Sequence, residues 1–436
     1  MAIIVSKNVQ FAAVGKNALG AFSTVLNTSI VGPITDFAPA NTFEQYERET
    51  QSQFAGKEAS VLGSVLGAVG FNVPFRGSGT AGVINDLDAL LLGCGHVKRV
   101  APGTAAIGAV VPFPSVGHAG LPTLTGTFAG TISGRVVITI TALVVNTSIA
   151  FLAVFYPGDG TAPTAYTGTQ EEEDAIVLSG GPLDTLAVDF GNPDVATAPF
   201  VVGDQFRVSL RSSSAVNIEY LPSPTPSQFG ANGPKLVDLQ AIIDNVDRHR
   251  FKSCSGTFTI TGNRAETIIF GFSFTGEYVR PDAATYIANA VYSDIIPPAV
   301  KAATATWDAQ VLSCFSTFSF DPAAVVNALD CAGAAQGYDG AYVSAFDPVF
   351  TLDVEQSTLT TWNPFAAIES NSQEALSFSI GTAGNRMTII AESAQLVDCQ
   401  PGERNGRAIW NLTFRFRRRS DAALNDPNVP YLIRLD

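Results

Sequence analysis

A mainly β fold, built in several modules, is what this sequence predicts, and three observations predict it. Charged residues are only 15% of the 436 while hydrophobic ones are 46%, and much of the rest is Thr, Ser and Gly, the composition of strands joined by turns. Two stretches alternate strictly. Ile268, Phe270, Phe272 and Phe274 oppose Thr267, Ile269, Gly271, Ser273 and Thr275, and Trp410, Leu412, Phe414 and Phe416 lie on one parity of the stretch to Arg417. The third observation is a set of short strand-like runs between Gly, Pro and Asp turns from Gly126 to Arg211. A chain this long accommodates two or three cores.

Residues 1–63 mix small, polar and apolar residues with glycine and proline punctuation, which predicts an extended N-terminal arm. Such an arm would bury Ile3, Val5, Phe11, Phe22 and Phe37 on a neighbouring subunit. Its charged stretch, Glu44, Glu47, Arg48, Glu49, Lys57 and Glu58, reads as a solvated face, with an inter-subunit contact through Glu47, Arg48 and Glu49 as the sharper alternative. A strand with Phe71, Val73 and Phe75 on one face then leads into Gly77–Gly82. A short helix through Leu87, Leu90, Leu91 and Leu92 follows, closed by Gly93-Cys94-Gly95. Gly77 to Gly82 satisfies G-x-G-x-x-G, the turn of dinucleotide-binding folds. The acidic ribose contact about 20 residues further on is replaced by Val97-Lys98-Arg99-Val100, so the glycines read as a flexible turn.

Pro102 to Pro122 has linker composition, and a second Pro-rich stretch runs from Leu221 to Pro226. Between them the strand-like runs predict an inserted β-sandwich over 121–221 whose ends meet, projecting outward. Its acidic run, Glu171 to Asp174, cannot aim four consecutive side chains at one ion and reads as a solvated loop. Leu236 to Ile243 and Arg248 to Lys252 predict a hairpin over Asp244-Asn245. After a linker from Asp282, strands are expected at Val311 to Phe320, Val349 to Val354, Leu376 to Ile380, Met387 to Ala391 and Trp410 to Arg417. A short helix is expected near Pro364 to Glu369. Strand, helix, strand pair is also the order of the first half without its insertion, which suggests duplication.

The glycine turn carries a family resemblance. Phe43 to Gly63, the strand ending in Arg76-Gly-Ser-Gly-Thr-Ala-Gly82, and the helix closed by Gly93-Cys94-Gly95 resemble the tail tube, or major tail, proteins of long-tailed bacteriophages. The similarity resumes over Asp244 to Asp282 and continues more loosely to the C-terminus. Residues 121–221 lie outside it, and their ending, Val201 to Val208, resembles the last hairpin of immunoglobulin-like modules attached to virion proteins.

The resemblance implies a fold of tail-tube β-sandwich or barrel modules, two per chain, each with a short helix. The first would comprise 64–120 with 222–295 and the second 296–436. It implies a structural virion subunit assembled in the host cytoplasm, polymerising as stacked rings into a hollow channel for genome ejection. The ring would be a trimer with pseudo-sixfold symmetry or a hexamer, and its further partners would be tape-measure, tail-terminator and baseplate proteins. Thr267, Ser273 and Thr275 are the candidate channel-facing residues. Arg415 and Arg417 are expected to pair with acids at a subunit or ring interface.

Composition bears on the alternatives. Lys and Arg number 25 against 39 Asp and Glu, a net charge of −14, which disfavours a sequence-independent nucleic-acid binder and suits a wall past which DNA slides. Five scattered cysteines without C-x-x-C spacing predict reduced thiols. No signal peptide or membrane span is expected. Three histidines, His96, His118 and His249, form no nucleophile–base or metal pattern, so no catalytic, cofactor or metal residue is nominated. An adhesive or carbohydrate-binding β-sandwich and a nucleotide-dependent enzyme using Gly77 to Gly82 remain as rivals. A signal peptide with paired cysteines would favour the first, and an acid after the glycine turn the second.

Overall fold

The computed structural model describes residues 8–435 apart from 20, 48–59, 81–82, 84, 101–105, 108–109, 114–120, 129–133, 145–147, 158–163, 172–174, 180–182, 192–199, 212–216, 224–234, 291, 308–309, 313, 383 and 419–428. Ile3, Val5, Arg48, Glu49, Lys57, Glu58, Gly82, His118 and Glu172–Asp174 therefore lie outside the described residues. The fold is mainly β, with several antiparallel sheets, one of them 17-stranded.

The chain begins with β1 (Val9–Lys16), β2 (Thr35–Pro39), β3 (Thr42–Tyr46) and β4 (Val61–Pro74), followed by α1 (Asp88–Gly93) and β5 (His96–Val100). Here the structure departs from a free arm. β1 pairs along its whole length with the later strand 236–243, and Phe11 is 1% exposed in the chain's own core. Phe37 packs against that core, and Phe22 lies under the Arg250 guanidinium. An anchor explains the capture. Asp238, fully buried, takes Lys16 Nζ at 2.8 Å and the backbone N–H groups of Ser23 and Ser253 at 2.7 and 2.8 Å, so the ends of the segment are tied to a carboxylate that must be satisfied. In α1, Leu90, Leu91 and Leu92 are all buried, and Gly95 (φ +77°) turns the chain out of the helix.

The inserted region forms two further sheets. Its strands are β6 (Ala106–Ile107), β7 (Val111–Phe113), β8 (Thr123–Gly126), β9 (Gly134–Val144), β10 (Ser148–Pro157), β11 (Thr164–Gln170), β12 (Ile176–Val177), β13 (Leu186–Asp189) and β14 (Gln205–Arg211). β11-β10-β9-β14 is the backbone of one sheet, and β12-β13-β8 is the other. Their inner faces share a core around Ile138, Phe151, Phe155, Leu186 and Phe206. Two borders differ from expectation. β6 and β7, inside the proline-rich stretch read as linker, pair with β14, because a strand with an open edge recruits whatever extended backbone passes it. At the other end β15 (Ile218–Pro222) belongs to the large sheet. It pairs with β5, Val100 opposite Ile218, so the chain leaves and re-enters the large sheet side by side.

β16 (Leu236–Ile243), β17 (Asp247–Asn263) and β18 (Ile269–Ala283) form an antiparallel meander. Its first turn uses Asp244 and Asn245 at φ +49° and +59°, the left-handed conformation such turns require. Phe270, Phe272 and Phe274 are buried, stacking on one another and on Phe71 of β4. A one-residue slip of β18 would expose all three, at roughly 2 kcal/mol each, and this pins the register.

The remaining strands are β19 (Thr304–Trp307), β20 (Gln310–Val311), β21 (Thr317–Asp321), β22 (Val325–Asp330), β23 (Tyr338–Ala345), β24 (Val349–Glu355), β25 (Gln373–Thr382), β26 (Asn385–Arg404), β27 (Arg407–Phe416) and β28 (Leu432–Leu435). α2 (Pro364–Glu369) follows β24. Asn363 caps α2, accepting from the N–H groups of Phe365 and Ala366 at 3.1 and 3.3 Å, with Pro364 in the first turn. The single strand expected from Val311 to Phe320 is split around Cys314, which sits at φ +56°. The β22–β23 hairpin and β28 were not anticipated.

The two halves share one topology. In the first, β1 pairs β16, β16 pairs β17, β17 pairs β18, β18 pairs β4, and β4 also pairs β2 and β3. In the second, β19 pairs β25, β25 pairs β26, β26 pairs β27, β27 pairs β24, β24 pairs β21, and β22 pairs β23. A six-residue helix follows β4 in one and β24 in the other. The main difference is that β4 runs unbroken for 14 residues while its counterpart is cut into β23 and β24 around Pro348, which has no N–H for a ladder. The halves are joined where the end of β17, Ile260–Asn263, pairs with β21, Thr317–Phe320.

A second seam holds them. β28 pairs with β26 on one side and β15 on the other. Beneath it, fully buried His96 Nδ1–H donates to the Cys94 carbonyl at 3.0 Å, and Nε2 accepts from the Tyr431 hydroxyl at 2.8 Å. The carbonyl can only accept, so Nδ1 carries a proton, and the ring is neutral at pH 7 because burial resists a second one. Burial pushes the imidazole down to about 4 against the opposing pull of its backbone hydrogen bonds. Beside it, burial raises the Glu219 carboxyl, but Arg434 (3.0 Å) and Arg99 outweigh burial and hold it below the usual range. The unfolded chain binds a proton at His96 below about 6.5 that the folded chain refuses until about 4. Stability is therefore expected to fall by up to about 3 kcal/mol as pH drops through that window. Denaturant titrations from pH 7 to 4 check this: His96→Gln should flatten the slope, and equal slopes in both proteins would refute it.

Candidate assembly surfaces

The strands of the meander place two opposite faces. In β18, Ser273 is exposed and Thr275 half-buried, on the face opposite Phe272 and Phe274. Ser273 lies between Gly70 of β4 and Thr257 of β17. Thr267 is also exposed, but it precedes β18 and bridges Ala299, so it does not share their row. The second half presents a matching row. Thr413 of β27 lies between Thr351 and Asp398, and Asn411 between Asp353 and Gln400. Both halves thus show polar or small residues on one face, with the carboxylates Asp353 and Asp398 in the second half's row, and phenylalanine, leucine and tryptophan on the other.

The arginines expected at an interface have an acid in their own chain. Arg415 and Arg417 both reach Asp347, at 2.7 and 3.6 Å, on the short link between β23 and β24. Two guanidiniums on one carboxylate, with exposed Arg418 next to them, leave this edge positively charged. Glu47 is exposed just past β3. Glu44 accepts from Ser64 Oγ across the β3–β4 hairpin and from the Tyr46 hydroxyl at 3.4 Å.

A further charged cluster supports the joint between the halves. Asp353 accepts the N–H groups of Ser316 and Thr317 at 2.7 and 2.5 Å through Oδ1, and Arg404 at 2.6 Å through Oδ2; Arg404 also donates to the Cys314 carbonyl. Sequence reading did not single out Asp353, since one acid in an alternating strand carries no signal of which amides it meets.

The glycine turn does different work from a phosphate cradle. Gly77 N–H donates to Asn385 Oδ1 at 2.7 Å and Gly79 N–H to the Gly384 carbonyl at 2.8 Å, so both amides are used by the β25–β26 turn. A Cβ on Gly77 would sit 2.2 Å from the Gly384 carbonyl oxygen. Glycine is needed there for backbone-to-backbone approach. The five cysteines are free thiols, and among the described residues no three His, Cys, Asp or Glu side chains converge as metal ligands. His249 is half-buried beside Phe37.

No family model matches this chain, and no curated protein matches it.

Gly77→Ala is expected to destabilise the fold by ~2 kcal/mol through this clash, and millimolar NAD or ATP to leave the melting temperature of the unsubstituted protein unchanged. Thermal denaturation checks both; a nucleotide-dependent upward shift would revive the dinucleotide reading.

Proposed function

We propose that this chain is a structural subunit of a bacteriophage tail tube, forming rings that stack into a hollow channel for the genome. The observation that carries the reading is the doubled topology, six strand pairings repeated in the same order around a helix of the same length. A chain of two like units joined head to tail supplies two positions of a ring, because the contact within it is heterologous and can be repeated between chains until it closes. Three chains then make a pseudo-sixfold ring, with a hexamer as the other closed arrangement. The family resemblance around Gly77–Gly82 and Asp244–Asp282 supports the same reading.

In this arrangement the insertion is an immunoglobulin-like module on the outside of the tube, since its two ends leave on neighbouring strands and load nothing else. The polar face carrying Ser273 and Thr413 lines the channel, where hydroxyls and the exposed Asp398 carboxylate beside Thr413 offer phosphate no counter-charge. Assembly takes place in the host cytoplasm. Tape-measure, terminator and baseplate proteins meet the lumen and ends of the tube, and DNA passes without specific binding.

Negative-stain microscopy and mass measurement of purified protein across concentration test this directly. Rings or tubes, and a smallest closed species of three chains, are expected; a monomer at every concentration overturns the proposal. Ser273→Lys with Thr413→Lys is expected to leave tubes intact while slowing DNA ejection from virions that carry it, and unaltered ejection would remove these residues from the channel wall.

A further inference from the structure

The repeat also identifies a surface that one half satisfies internally and the other leaves open. The β22–β23 hairpin of the second half folds across the first half. Val65 N–H donates to the Gln336 carbonyl at 2.9 Å, Ser255 Oγ donates to the Ala341 carbonyl at 2.8 Å, and Gly340 packs on Ser253. Docked in this way, Ala341 and Val343 are 0% and 3% exposed. The first half has the equivalent hairpin, β3–β4, and its large apolar residues are uncovered: Phe43 50%, Tyr46 62%, Val61 53% and Leu62 55% exposed. By their register Phe43, Tyr46 and Val61 lie on one face of this two-stranded ribbon and Leu62, opposite Gln45, on the other, so both faces carry apolar surface that an occupant could bury.

The register identifies the occupant. The last ladder pair before the helix is Ile269 with Pro74 in the first half and Ile409 with Glu355 in the second. Aligning them sets Phe270, Phe272 and Phe274 on Trp410, Leu412 and Phe414, all buried. The same alignment sets Thr275 on Arg415 and Ala68 on Val349. Ser255, opposite Thr275, then corresponds to Gln395, opposite Arg415. Counting back by residue from Ala68 and Val349, through the three-residue link 346–348 in the second half, sets Val343 on Leu62 and Ala341 on Ser60. The surface equivalent to the hairpin's seat is therefore the edge of the second half that carries Gln395, Arg415 and Arg417.

We infer that the β3–β4 hairpin of one subunit docks on the Gln395–Arg415–Arg417 edge of the next copy of the chain, as β22–β23 docks within it. The occupant is a second copy, because only the second half of another chain offers the equivalent seat. Charge agrees: Glu44 and Glu47 on the hairpin approach an edge where Asp347 serves two arginines and Arg418 stands beside them. The direction agrees as well, since each hairpin reaches back to the preceding unit and the contact propagates head to tail around a ring. This inference rests on the tube reading and specifies its lateral contact.

The test is a cross-link between the residues that correspond to the Ala341–Ser255 contact. Ser60→Cys and Gln395→Cys are introduced together and singly in a Cys314→Ser background, because Cys314 is the exposed thiol. Mild oxidation of the assembled double variant is expected to give a ladder of covalent oligomers on a non-reducing gel that neither single variant gives. In a second variant, Leu62→Asp places a charge on an already exposed position, so the melting temperature should hold while the concentration needed for assembly rises about tenfold or more. Rings or tubes that form without the cross-link, or that ignore Leu62→Asp, overturn the hairpin contact and leave the tube reading standing. A protein that stays monomeric in every form overturns both.

Discussion

The interaction on which the rest depends is the ladder between the last residues of β17 and β21. β17 is 17 residues long and outruns β16, so Ile260–Asn263 present an open edge at the end of the first meander. β21 takes that edge and turns two sheets into one. Such a joint is stable only if the chain entering it is held, and Asp353 holds it, binding the amides of Ser316 and Thr317 while Arg404 ties Asp353 to the Cys314 carbonyl. Phe320 stacks on Phe416 and packs at a tilt against Phe258 through the seam, so the core is continuous from one half to the other.

With the halves welded, the C-terminal strand can serve both. β28 has its backbone partners in β26 and β15, and the Tyr431 hydroxyl that precedes it is the donor to buried His96. The insertion departs from this same place, between β5 and β15, where backbone pairing on both strands continues up to the point of exit. A module attached through two paired strands transmits little to the sheet, whatever its own core does, which is why a separate apolar cluster fits there without disturbing the large one.

The repeat explains which features are paired and which are not. Where the second half breaks its long strand at Pro348, the freed hairpin bends back onto the first half and buries Val343, while Val325 on its outer strand stays half exposed. Where the first half keeps β4 continuous, its hairpin buries Val65 but leaves Phe43, Tyr46, Val61 and Leu62 at least half exposed. The same topology thus yields one hairpin whose β23 face is covered and one whose corresponding face is not, and the difference lies in a residue that cannot donate to a ladder.

The sequence by itself determined the strands whose apolar residues alternate, because period-two burial is local: Phe270 to Phe274 and Trp410 to Phe416 could face a core on one parity only. It also determined both short helices and the Asp244-Asn245 turn, since capping and left-handed backbone belong to a few adjacent residues. Tertiary structure decided the rest. Whether Val9–Lys16 is a free arm or a sheet strand depends on Asp238, more than 200 residues away, and on the open edge of β16. Whether Arg415 and Arg417 look outward depends on Asp347. Whether Gly77–Gly82 cradles phosphate or touches the Gly384 turn depends on which backbone arrives there. In each case the partner is set by sheet edges meeting across the fold, and an edge is a property of neighbouring strands that no single stretch of sequence carries.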